Sequence, residues 1–146
     1  MTSRFQPPPI IKAAERLLLE IERAVRQFPR YHRYAVGADL RKQAMTVFSN
    51  ANRAWRDRAR QAELVGQLVW DIDSLKQHLQ LAKLLHAFNS FRRFEMLARL
   101  AQELGAQAGG WSRRLSAPSA QNAQASGVAQ RGQKLSTRTA LAGANS

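Results

Sequence analysis

Hydrophobic residues along the chain recur at alternating spacings of three and four, the period of a helix with one buried face. After the triple proline Pro7 to Pro9, which marks a start, Ile11, Ala14, Leu18, Ile21, Val25 and Phe28 form the first such stripe. Pro29 closes it, because proline has no amide hydrogen and turns the preceding residue away from helical angles. Val36, Leu40, Ala44, Val47, Ala51 and Trp55 form the second stripe, which fades into the polar run RDRARQ with a short turn expected near residues 57–60. The third and longest runs through Leu64, Leu68, Ile72, Leu75, Leu79, Ala82 and Leu85. AFNSF reads as the next turn, where Asn89 or Ser90 can cap the following helix by accepting a hydrogen bond from its free amides. Phe94, Leu97, Ala101, Leu104 and Ala108 make the fourth stripe, and Gly109 or Gly110 is expected to end it in a left-handed conformation just before Trp111.

No strand-like alternation of useful length accompanies these stripes, so the pattern predicts an all-α protein. Four long helices joined by short turns read as an antiparallel up-down-up-down four-helix bundle over residues 1–111. Residues 112–146 are mostly Ser, Ala, Gln, Gly and Asn. Such a segment buries too little apolar area to offset its ordering entropy, so a disordered basic tail is expected there. It carries Arg113, Arg114, Arg131, Lys134 and Arg138 and no acid. Within the bundle, Leu17, Leu19, Phe48, Val69 and Trp70 flank the stripes. One internal core needs only one apolar face per helix, so these extra residues predict a second buried surface and hence an oligomer.

Charge changes the picture from a fold to a partner. The chain has 23 Lys and Arg against 10 Asp and Glu, a formal charge of +13. Eighteen of the 23 are arginine, whose guanidinium suits bidentate phosphate contact and stacking on bases, so a nucleic acid is the expected polyanion. Cysteine is absent, which excludes disulfides, thiolate metal sites and cysteine nucleophiles. No stretch approaches the ~18 apolar residues of a membrane span, so no membrane association and a soluble cytoplasmic protein are expected.

The arginines are clustered. Arg53, Arg56 and Arg60, spaced by three and four, share one helix face, with Arg58 close by. Arg30 and Arg33 follow the first helix, Arg92 and Arg93 open the fourth, and Arg113 and Arg114 follow it. Strict alternation of helices would put Arg56 to Arg60 at one end of the bundle and Arg30, Arg33, Arg92 and Arg93 at the other. At the corner FPRYHRYAVGADLR, Phe28 with Tyr31 or Tyr34 is expected to pack, while Arg30, Arg33 and Arg41 point to solvent. Arg41 has the alternative of pairing with Asp39 or with a neighbouring subunit.

Catalytic and metal chemistry are poorly represented, and no cofactor is implied. A di-metal bundle needs two Glu-x-x-His pairs, and no Glu here is followed by His at that spacing. Arg26 and His32 have the Arg-x5-His spacing of the HEPN ribonucleases, the one enzyme signal present. Among eighteen arginines such a spacing arises about once by chance, and Pro29 falls inside it, so a non-enzyme is expected.

The corner FPRYHRYAVGADLR, the long helix LVWDIDSLKQHLQLAKLL and the closing FEMLARLAQELGAQAGGW together resemble the accessory variability determinant proteins of diversity-generating retroelements. These belong to a wider four-helix-bundle family that includes proteins encoded in intervening sequences of bacterial ribosomal RNA. The resemblance spans residues 10–114 and is carried most specifically by Phe28-Pro29-Arg30, Arg33-Tyr34, Gly37, Leu40-Arg41 and Gly109-Gly110-Trp111. It implies a homopentameric, basic, non-catalytic protein that binds the retroelement's reverse transcriptase and supports error-prone copying of template RNA into complementary DNA. A structural or ribosome-associated RNA-binding bundle, unrelated to reverse transcription, is the alternative.

Overall fold

The computed structural model describes residues 6–116. Helix α1 spans Pro9–Arg26, the single turn α2 spans Arg30–Arg33, α3 spans Val36–Arg56, α4 spans Gln61–Leu84 and α5 spans Phe91–Ser116. A 3-10 turn, Arg58–Arg60, joins α3 to α4. There is no strand among the described residues. The four long helices form the expected antiparallel bundle. Helix α3 packs on both α1 and α4. Helix α5 runs back along α4, with Phe94 beside Lys83 near one end and Gly105 beside Ile72 and Lys76 further along. The tail expected over residues 112–146 starts later than expected, because residues 112–116 belong to helix α5, and from residue 117 onward it lies outside the described residues.

Each long helix contributes one face to a continuous core that includes Ile21 and Val25 from α1, Phe28 two residues past its end, Leu40 and Val47 from α3, Ile72, Leu75 and Leu79 from α4, and Leu97 and Leu104 from α5. No polar or charged residue is fully buried among the described residues, so the core is held by apolar burial and close packing alone. All five residues of the fourth expected stripe are buried. Elsewhere the stripes need adjustment. Leu17, expected as a flanking residue, is 1% exposed, whereas Leu18 is half-buried. Ala54 rather than Trp55 carries the α3 face to its end.

The helix ends follow local chemistry. Pro8 and Pro9 begin α1, where a missing amide costs nothing, and Pro29 separates α1 from α2. The Asp57 side chain accepts the amide of Arg60 and closes the 3-10 turn. Of the two expected caps for α5, Ser90 is used: its hydroxyl accepts the Arg93 amide at 3.2 Å. Helix α4 ends with His86 at φ 59°, the left-handed region. The Ala87 amide then bonds the Ala82 carbonyl at 3.0 Å and the His86 amide bonds Lys83 at 2.9 Å, which is a Schellman motif. Leu85 falls just past the helix and is 43% exposed instead of continuing the stripe.

Helix α5 does not stop at Gly109-Gly110, which corrects the expected left-handed cap. No glycine among the described residues has a positive φ. Ala108 is buried and Trp111 packs against the core one turn later, so apolar contact carries the helix through the two glycines. At the α1–α3 corner, Gly37 is required by close approach. A Cβ there would lie 2.8 Å from Val25 Cγ1 and 3.0 Å from the His32 carbonyl oxygen.

Candidate nucleic-acid interface

The end of the bundle formed by the last turn of α3 and the following 3-10 turn carries Arg53, Arg56, Arg58 and Arg60, all exposed. Arg60 is committed locally: its Nε and Nη2 donate to the two carboxylate oxygens of Glu63, each at 3.2 Å. That hydrogen bond and the accompanying charge attraction raise the Arg60 pKa and hold the Glu63 carboxyl below its ordinary value. Arg53, Arg56 and Arg58 have no ion pair among the described residues, and Asp57 points its carboxylate at the turn backbone. The Arg56 guanidinium lies 5.3 Å from the Trp55 ring centroid, so the half-buried indole braces it. Three free guanidinium groups on one end, with the nearest acids occupied, make a surface suited to phosphates.

The opposite end gathers the α1–α2–α3 corner and the α4–α5 corner, joined by the Phe28 and Phe88 rings in edge contact at 5.1 Å. Here the expected arginines divide. Arg30 and Arg92 are exposed and without an ion pair among the described residues. Arg41 does not point to solvent and does not pair with Asp39. Its Nε donates to Glu22 at 2.8 Å and its Nη2 to the other carboxylate oxygen at 3.3 Å, a two-pronged tie between α3 and α1. Arg33 is also turned inward: its Nη2 donates to the Phe28 carbonyl at 3.4 Å and its Nε is buried without a partner. Arg93 lies 3.9 Å from Glu20 and links α5 to α1. Arg113 and Arg114 are exposed on the last turn of α5.

The tyrosines depart furthest from expectation. Phe28 fills the corner at 1% exposure, but Tyr31 and Tyr34 are 78% and 68% exposed and stay outside the core, the Tyr31 ring meeting His32 edge-on at 5.4 Å. Phe91, at the start of α5, is 62% exposed and tilts against Phe94 at 5.7 Å. Sequence holds a faint signal for the tyrosines: Tyr31 lies in the one-turn helix and Tyr34 just past its end, and neither belongs to an apolar stripe.

Of the residues that suggested an enzyme, Arg26 ends α1 with its Nε 3.7 Å from Glu22, while His32 lies beyond Pro29 in α2. The two are therefore not on one continuous helix. His78 is placed by a 2.8 Å contact between Nδ1 and the Ser74 carbonyl. No cluster of three metal-ligating side chains occurs among the described residues, and no described helix is long and apolar enough to cross a membrane. No family model, curated protein or solved structure matches the chain.

Proposed function

We propose that this protein is a non-catalytic accessory protein of a diversity-generating retroelement, working in the cytoplasm as a homopentamer. It holds template RNA and the growing complementary DNA beside the reverse transcriptase. The observation that carries the nucleic-acid part is the free trio Arg53, Arg56 and Arg58, whose neighbouring acids are already engaged. The resemblance over residues 10–114 supplies the reverse transcriptase and the oligomer. A scaffold of this kind raises the effective concentration of enzyme and template without a reacting group of its own.

The test uses the full chain with template RNA and the cognate reverse transcriptase. Replacing Arg53, Arg56 and Arg58 together by Gln should flatten the salt dependence of RNA affinity by up to about three phosphate contacts and abolish complementary DNA synthesis. His32→Ala should leave both unchanged. An unaltered salt slope and undiminished synthesis in the triple variant would remove this surface from the mechanism. Loss of an RNA-cleaving activity in His32→Ala would replace the scaffold by a ribonuclease.

A further inference from the structure

We infer that the end of the bundle bearing Tyr31, Tyr34 and Phe91 is a stacking surface for unpaired bases of single-stranded RNA, separate from the phosphate-binding trio at the other end. This rests on the reading that the protein binds RNA and names the form of RNA it takes. A single exposed aromatic ring is ordinary on a protein surface. Here three large rings are exposed at one end, and each has a cation beside it in the chain. Arg30 precedes Tyr31, and Arg92 follows Phe91. The Arg33 guanidinium carbon lies 5.9 Å from the Tyr34 centroid. Single-strand binders combine these two elements, because every base offers a flat face to a ring while the phosphates run past the cations.

Phe91 is also held on a firm base. Phe28, Phe88 and Phe94 form a chain of edge contacts at 5.1 and 5.7 Å beneath the surface, and Phe91 extends it outward. Beside Phe91 an open recess of about 420 Å³ is walled by Lys83, Leu84, His86 and Phe88. Half of the carboxylates at this end are engaged: Glu20 and Glu22 pair with arginines, leaving exposed Asp39 and Glu95 against the free Arg30, Arg92 and Lys42.

The probes are a single-stranded oligouridylate, whose bases are free to stack, and a blunt RNA duplex of equal phosphate number. The protein is the full chain and its Tyr31→Ala, Tyr34→Ala, Phe91→Ala triple variant. All three rings are exposed, so the variant keeps its core, and a Tyr31→Phe, Tyr34→Phe protein supplies a conservative control. Expected are at least about a tenfold loss of affinity for the single strand in the triple alanine variant, little change for the duplex, an unchanged salt slope, and full retention in the phenylalanine protein. Equal losses on single strand and duplex, or no loss on either, would overturn the stacking surface while leaving the RNA reading intact. Unchanged RNA binding with loss of reverse transcriptase binding or of self-association would assign the rings to a protein interface instead. Failure of the unaltered protein to bind either RNA would remove the RNA reading and this surface together.

Discussion

Asp71 illustrates how one side chain on a bundle seam carries a pH signature. It lies on α4 facing α3, where Asn50 Nδ2 donates to its carboxylate at 2.6 Å and Gln43 Nε2 donates to its backbone carbonyl at 3.1 Å. Partial burial between the helices disfavours the charged form and raises its pKa, and the Asn50 hydrogen bond only partly opposes that shift. A raised folded value means the native state holds the proton more tightly than the unfolded chain. The stabilisation is therefore complete below the ordinary aspartate value of about 4 and is lost as pH rises through the folded value. Asp71→Asn can still accept from Asn50 but cannot ionise. At pH 7 it should melt higher than the unaltered protein by about 1–3 °C, allowing for solvent screening, and the difference should close on acidification toward about pH 3. Thermal unfolding followed by circular dichroism at the two pH values reads this directly, and a gap that widens in acid would contradict it.

The turn after α4 shows what an element owes to residues that no periodicity reveals. His86 adopts a positive φ where glycine is the usual occupant, so the Schellman motif carried no glycine to announce it. Relieving that conformation with His86→Gly should stabilise the protein by about 1 kcal/mol, seen as a shift of the denaturation midpoint at constant slope. The four helices themselves were legible because their stripes report burial directly, and proline and serine announced the breaks at Pro29 and Ser90. Gly109-Gly110 misled for the complementary reason: a stop signal was overridden by Ala108 and Trp111 packing on either side of it. The interface was half legible. Spacing placed Arg53, Arg56 and Arg60 on one face with Arg58 close by, but it did not show that Glu63 engages Arg60, and the engagement of Arg41 by Glu22, nineteen residues earlier on another helix, has no local signature. Nor does sequence distinguish a tyrosine that fills a corner from one that faces water, because Phe28 alone is large enough to close this corner and leaves Tyr31 and Tyr34 without a place in the core.

At the scale of the whole molecule, two forces of opposite salt dependence act on a chain of charge +13. Helix α4 is apolar on more than its core face: Trp70 is 75% exposed, with Leu81 and Leu84 at 46% and 68% further along. Trp70, Leu81 and Leu84 fall on one outward side of that helix with Gln77 between them, and a Cβ added at Gly66, one turn before Trp70, would meet only open space. Burying this side against another copy would remove apolar area from water, while the net charge of each copy resists the approach. Salt screens that repulsion and leaves the apolar gain, so self-association should persist or tighten as salt rises. RNA binding should weaken steeply over the same range, because each phosphate contact releases counterions that high salt returns. For the proposed pentamer, light scattering of nuclease-treated protein should give about five times the 16.4 kDa chain mass at high salt. Trp70→Arg combined with Leu81→Arg should reduce it to the single-chain mass with helix content unchanged. A mass that falls with salt or after nuclease would mean that RNA, not the α4 face, holds the copies together, and a single-chain mass throughout would contradict the pentamer.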